Sequence, residues 1–203
     1  MAAFFSNLRN TVIAGFALSF VVFLIYALNE FSNPVFWPFF VRWFHIMSGV
    51  MWIGLLWYFN FVQTPTMPKI PDELKGGVSR FIAPAALFWF RWAAMATIIF
   101  GIILAAQLGM LLDAYTLDAI DGFIALNRVM IGIGMWLGTI MWFNVWFVIW
   151  PNQQKALNIG NAFPNLPADQ KGQAARTAGM FSRINTMLSI PMLFCMAAGP
   201  HLA

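Results

Sequence analysis

The stretch FVRWFHIMSGVMWIGLLWYFNF, residues 40–61, decides the fold of this chain, because it is long and almost entirely apolar. An α-helix that crosses a membrane needs about 20 mostly apolar residues. The same stretch carries Arg42 and His45, whose side chains are costly in hydrocarbon and are usually retained there for a ligand, a proton path or a partner. It therefore predicts a membrane helix with a polar site inside it.

The composition of the whole chain is that of an integral membrane protein. Of its 203 residues, 61% are hydrophobic and 9% are charged, whereas soluble domains carry about 25% charged residues. The formal charge of +4 is spread over loops and makes no basic patch, so we expect no nucleic acid partner. Cys195 is the single cysteine, which excludes an internal disulfide and covalent haem attachment.

Hydropathy predicts an all-α bundle of five transmembrane helices that forms a single domain over residues 1–203. The predicted helices cover residues 11–29, 37–63, 84–112, 122–150 and 180–199. Prolines mark several of their ends: Pro38 begins the second helix, and Pro151 is expected to close the fourth. Pro191 is expected to kink the fifth.

The loop charges predict the orientation of the bundle. Eight basic residues fall on one side of the predicted membrane: Arg9, Lys69, Lys75, Arg80, Lys155, Lys171, Arg176 and Arg183. The loop LLDAYTLDAIDG, residues 111–122, lies on the other side and carries three aspartates without a lysine or arginine. By the positive-inside rule, the N-terminus is cytoplasmic and the C-terminus is outside.

One layer of polar residues lies near the outer face. Arg42, His45 and Gly49 share one helix face, at positions i, i+3 and i+7. That face suits a b-type haem, with an imidazole for the iron, a small residue beneath the ring and an arginine for a propionate. Arg128 is predicted at the same level, as is His201, a candidate second ligand of the metal. Alternatively, the arginines reach toward headgroups, His45 bonds a neighbouring helix, and His201 is a solvated tail residue.

A second polar layer lies near the inner face and is made of Asn60, Gln63, Arg91 and Asn144. An arginine with amides can hold an anionic or amide-rich planar molecule by bidentate hydrogen bonds, so these residues are the candidate catalytic or substrate site. The alternative is an internal network that ties three helices together.

Other chemistry has weaker support in the sequence. A copper site formed by His45, His201 and methionines such as Met47, Met51 and Met192 is a less favoured alternative to haem. GxxxxGK[ST] and HExxH patterns are absent, so nucleotide hydrolysis and zinc proteolysis are not expected. The predicted helices also hold no carboxylate in their interiors, which argues against a proton-coupled transporter.

Four stretches resemble the membrane domain of the bacterial urate oxidases, the membrane-anchored, cytochrome c-linked urate hydroxylases. They are RWFHIMSGVMWIGLLWYFNFVQTP (42–65), FRWAAMAT (90–97), MWFNVWFVIWPNQQKAL (141–157) and SRINTMLSIPMLFCMAAGPH (182–201). The resemblance implies an oxidoreductase in the bacterial inner membrane that passes electrons to a cytochrome c outside. It also implies that Arg91, with Gln63 or Asn60, would hold urate. The cytochrome c part of that family is not in this sequence, so we expect a separate cytochrome c or a larger redox complex as partner.

A function of another class also agrees with the sequence. The chain would then be a non-catalytic accessory subunit of a respiratory or photosynthetic membrane complex, with its exposed aromatic residues packed against partner helices or lipid. A homo-oligomer is possible in either case. A visible haem spectrum distinguishes the two functions.

Overall fold

A computed structural model describes Phe4 and residues 6–201, without the side chain of Asn29. Over these residues the chain is helical and contains no β-strand. Five helical stretches are long and apolar enough to cross a membrane, which confirms the predicted class and number of spans. Their α-helices are α1 (Leu8–Glu30), α2 (Phe36–Trp57), α3 (Ala83–Gln107), α4 (Leu126–Phe143) and α5 (Ala168–Ala198).

Helix α5 begins at Ala168, although hydropathy predicted its start at residue 180. The added residues, ADQKGQAARTAG, are polar, and hydropathy detects only the part of a helix that enters the membrane. Pro167 precedes this helix and Asp169 lies in its first turn, where an acidic side chain complements the helix dipole. Helix α5 continues through Pro191 without ending there.

Helix α3 ends at Gln107, earlier than the predicted residue 112. Gly109 follows with a φ of +69°, a left-handed conformation that glycine adopts without strain. The chain then forms a separate short helix, Leu111–Tyr115, before α4.

Three π-helical segments interrupt the spans, and each is followed two residues later by a proline. The segments are Tyr58–Gln63, Val78–Ile82 and Asn144–Ile149, and the prolines are Pro65, Pro84 and Pro151. A proline ring clashes with the carbonyl four residues earlier in an α-helix. In all three cases that carbonyl belongs to the π-helical segment, where the wider turn relieves the clash. The prediction that Pro151 ends the fourth helix is therefore wrong, since the helical run continues from Trp150 to Leu157.

The chain divides into two compact units, Met1–Phe40 and Val41–Ala203. In the first unit, the Asn7 side chain caps α1 by accepting a hydrogen bond from the Arg9 backbone N–H at 3.0 Å. Phe36 is fully buried, with its ring centroid 5.5 Å from that of Phe23 and 5.4 Å from that of Tyr26. Aromatic packing therefore orders this unit.

In the second unit, a polar stripe on α5 joins it to α2 and α4. Ser182 Oγ accepts a hydrogen bond from the Asn60 amide at 2.8 Å, and Asn185 Oδ1 accepts one from the Asn144 amide at 2.8 Å. Ser189 Oγ accepts one from the Trp57 indole at 2.9 Å. Interhelical hydrogen bonds in membranes contribute about 0.6–2 kcal/mol each. The stripe therefore fixes how α5 is rotated against its neighbours.

Candidate functional site

The second unit contains a largely apolar cavity of about 700 Å³. Arg42, His45 and Gly49 of α2 line it, as do Thr97 and Gly101 of α3. Side chains of α4 and α5 complete the lining, among them Ile131, Met135, Gly138, Met192 and Met196. Three of the residues predicted to bind a cofactor thus meet at one cavity. Its volume lies within the range of about 300–1,000 Å³ that is typical of ligand pockets.

The backbone of α3 orients the His45 imidazole. His45 Nδ1 lies 2.9 Å from the Thr97 carbonyl oxygen. A carbonyl oxygen only accepts, so Nδ1 carries the hydrogen and Nε2 of the neutral ring keeps its lone pair. A fixed Nδ1–H with a free Nε2 is the usual arrangement of a metal-binding histidine.

Gly101 makes room for the imidazole. A Cβ atom at this position would lie 2.9 Å from His45 Cε1, closer than real Cβ atoms come, and 3.1 Å from Nδ1. Sequence reasoning missed both Thr97 and Gly101. Their spacing of four residues places them on one face of α3 and could have drawn attention to them, but it does not show that this face meets His45.

Arg128 lies in a different environment from the one predicted. Its Nη1 donates to Asp113 at 3.1 Å, to Asp118 at 3.0 Å and to Asp121 at 3.1 Å. Asp118 is buried and also accepts a hydrogen bond from the Ala125 backbone N–H. The guanidinium therefore holds the loop before α4 together. The prediction that Arg128 joins His45 at a cofactor rested on depth along the helix, which does not show that this loop folds back over it.

The short helix Leu111–Tyr115 packs on α4 at the edge of the cavity. Tyr115 lines the cavity, and its hydroxyl lies 3.0 Å from Thr139 Oγ1. Its carbonyl accepts a hydrogen bond from the Trp136 indole at 2.9 Å. At Gly132, a Cβ atom would collide with the carbonyl oxygen of Ala114, so the two backbones approach closely there. This helix covers one side of the cavity.

His201 is exposed and ends the described part of the chain in a single 3₁₀ turn, Gly199–His201. The preceding residues Gly199 and Pro200 line the cavity, but His201 is not among the lining residues. Its role as a second ligand stays a prediction.

Arg91 lies among tryptophans instead of amides. Its Cζ atom is 3.6 Å from the ring centroid of Trp150, 5.2 Å from that of Trp146 and 5.9 Å from that of Trp92. Arg91 Nε and Nη1 are buried without a hydrogen-bond acceptor in the described part of the chain, and the Trp146 indole N–H also lacks one. An aromatic cluster that stabilises a cation without neutralising it leaves a positive charge available to an anion.

The three amides predicted beside Arg91 differ in their hydrogen bonds. Asn60 and Asn144 donate to residues of α5, as the structural alternative predicted. Gln63 ends a π-helical segment, and its buried Oε1 has no donor among the residues described. No hydrogen bond within residues 6–201 joins any of the three to Arg91.

The fold and the cavity define a multi-pass helical membrane protein with an internal, histidine-lined apolar site. Residues 121–202 match the family model described as urate oxidase N-terminal. This confirms the resemblance for α4, α5 and the segment between them, which together make less than half of the chain. No curated protein and no solved structure matches it.

Proposed function

We propose that this chain is a membrane redox protein of the urate oxidase type, and that its cavity holds a b-type haem. The observation that carries the proposal is the orientation of His45, whose Nδ1 donates to the Thr97 carbonyl inside an apolar cavity and whose Nε2 is left with a lone pair. A histidine so placed has the tautomer and the surroundings of a proximal haem ligand.

The other lining residues fit a large planar group with anionic substituents. Gly49, Gly54 and Gly138 leave space along two helices, and Arg42 supplies an exposed cation. Trp52 also lines the cavity, and its buried indole N–H has no acceptor in the described residues. Arg42 and Trp52 would thus donate hydrogen bonds to the haem propionates, and His45 would hold the iron.

The protein's own part in the chemistry would be to position the haem and to keep water away from it. A bound b-type haem supplies one-electron oxidation and reduction. His45, oriented by its hydrogen bond to α3, would hold the haem, and the apolar lining from α4 and α5 would limit the access of water to it. The Leu111–Tyr115 helix, whose Tyr115 lines the cavity, belongs to the end of the bundle that carries the aspartate loop, residues 111–122. That end is the side from which electrons would pass to a separate cytochrome c.

The substrate would bind at the Arg91 cluster. Urate is a planar anion, and an uncompensated guanidinium among indole rings suits such a molecule. The Trp146 indole N–H and the Arg91 Nε–H and Nη1–H are the donors available to its oxygen atoms. Because Arg91 Nε and Nη1 are covered, the tryptophan rings must shift when the substrate binds.

The first test is a reduced-minus-oxidised visible spectrum of the purified full-length chain, with haem quantified by the pyridine haemochrome method. The proposal predicts a b-type spectrum at about one haem per chain. A protein that folds and is stable without haem, even when haem is supplied during expression, would contradict it and favour the accessory-subunit function. Metal analysis of the same sample tests for copper, since Met135, Met192 and Met196 also line the cavity.

Replacing Arg91 with lysine tests the substrate site. Lysine keeps the charge but loses the planar group that stacks on Trp150 and donates in pairs. We expect kcat/KM for urate, measured with added cytochrome c, to fall by about 10- to 100-fold, the equivalent of one lost charge-assisted hydrogen bond of about 1.5–3 kcal/mol. The haem spectrum should not change.

The matched control is Arg183→Lys, which changes an exposed arginine of α5 and should leave turnover as it is. Equal activity of the Arg91→Lys and wild-type proteins would exclude this site.

A further inference from the structure

A second cavity, of about 500 Å³, lies at the opposite end of the same unit from the aspartate loop. Arg80 and Pro84 line it on either side of the start of α3, and Leu157, Asn158 and Gly160 line it where the fourth span ends. Lys171, from the extramembrane start of α5, completes the lining. Three separate parts of the chain thus bring two cations to one concave site.

The two cations of this cavity have no counter-charge among the residues that the structure describes. No carboxylate lines the cavity, and within the part of the chain that the structure describes, neither Arg80 nor Lys171 takes part in an ion pair. The nearby Lys75 differs, since Asp72 pairs with it at 2.6 Å. Two unpaired cations that face one cavity repel each other, and an anion bound between them removes that repulsion.

The wall formed by residues 157–160 is held in place before any ligand binds. Asn158 adopts a left-handed conformation with a φ of +48°, and its side chain accepts a hydrogen bond from the Phe163 backbone N–H at 2.8 Å. It also donates to Asn161 Oδ1 at 3.0 Å. These bonds shape a loop that would otherwise be free to move, so little ordering is needed on binding.

The position of the cavity identifies the class of anion. Phe81 and Ile82 follow Arg80 directly and are exposed by 75% and 52%. Large apolar side chains next to a basic residue at the end of a membrane span lie at the boundary between lipid tails and headgroups. Basic pockets between transmembrane helices at this level suit anionic lipid headgroups.

We propose that Arg80 and Lys171 form a phosphate-binding site that takes the headgroup phosphate of an anionic phospholipid. A free phosphate shares this chemistry and is the alternative source of the ligand. The site lies at the other end of the spans from the His45 cavity and does not depend on the proposed redox function. Its occupant would link the start of α5 to the third and fourth spans.

The test measures binding of short-chain phosphatidylglycerol to the full-length protein in a neutral detergent, by native mass spectrometry and by the shift in melting temperature. Phosphatidylcholine and inorganic phosphate are run in parallel. The double variant Arg80→Gln/Lys171→Gln should bind phosphatidylglycerol at least about tenfold more weakly, since each lost charge-assisted bond is worth about 1.5 kcal/mol or more. The matched control is Lys69→Gln/Lys155→Gln, which removes the same charge from exposed residues outside the cavity.

Each result decides between the possibilities. Phosphatidylglycerol binding that the double variant loses and the control keeps supports the lipid site. Binding of inorganic phosphate with the same dependence, without a preference for phosphatidylglycerol over phosphatidylcholine, supports the phosphate site with a soluble ligand. Equal loss in the two double variants, or loss in neither, overturns the proposal. If the Arg80→Gln/Lys171→Gln protein melts below wild type without ligand, the single variant Lys171→Glu provides the same comparison.

Discussion

If the cavity holds the proposed haem, the His45→Ala protein is expected to show no haem absorbance while remaining folded. His45 is half-buried and is the only titratable side chain that lines the cavity with a free nitrogen lone pair, among the residues described. Without the imidazole, the lining would offer an iron only methionine sulfur and the Tyr115 hydroxyl, which already bonds Thr139 Oγ1. The measurement is the haem-to-protein ratio from the pyridine haemochrome assay, together with the elution profile in detergent.

Two further variants make this result specific. His201→Ala removes the other histidine, which lies outside the cavity lining, and should keep the haem; a loss there as well would mean that both histidines bind the iron. Gly101→Ala leaves His45 in the sequence but places a methyl group 2.9 Å from its Cε1. It should weaken haem retention about 10- to 100-fold, as changes behind a metal-binding histidine do. Full haem content in His45→Ala would refute the assignment of the cavity.

The Gly132→Val protein is expected to be much less stable than wild type. Any side chain at this position meets the Ala114 carbonyl oxygen and the Leu117 side chain, and the carbonyl belongs to a helix that α4 must contact. Overpacking of buried sites costs typically about 1–3 kcal/mol, and contact with backbone belongs at the upper end of that range. We expect a lower midpoint of thermal unfolding in detergent and a loosened Leu111–Tyr115 helix.

The control for this variant is Gly179→Ala in α5. A Cβ atom there has nothing within 4 Å, so the exchange should be neutral or stabilise the helix by up to about 1 kcal/mol. If Gly132→Val melts at the wild-type temperature, the close approach between α4 and the Leu111–Tyr115 helix is not present in the protein.

The sequence predicted the spans well because the membrane imposes a length and a composition that hydropathy measures directly. It predicted the start of α5 poorly because residues 168–179 form helix outside the apolar region, where propensity and capping decide. It also missed the Leu111–Tyr115 helix, whose five residues are too short for any periodic pattern.

The candidate sites were predicted in part for a similar reason. Arg42, His45 and Gly49 belong to one helix, and helical spacing alone puts them on one face. Thr97 and Gly101 contact His45 from another helix. The packing of α2 against α3 is a tertiary contact, which cannot be inferred from a single sequence. Arg128 shows the opposite error, since it was predicted about two turns into the fourth helix. Helix α4 begins only at Leu126, so Arg128 lies in the first turn and bonds the aspartates that precede the helix.

The π-helical segments determine where this fold can tolerate the insertion or deletion of a residue. Each holds a surplus residue relative to an α-helical turn, and the Asn60 and Asn144 amides that bond α5 lie within two of them. Deleting one residue there would restore regular winding, and because the wide turn absorbs the surplus residue, the residues on both sides would keep their facing. The His45 cavity would be undisturbed, whereas the amides that bond α5 would lose the wide turn that positions them. Insertions and deletions at these points therefore change the contacts of α5 without rotating either half of a span.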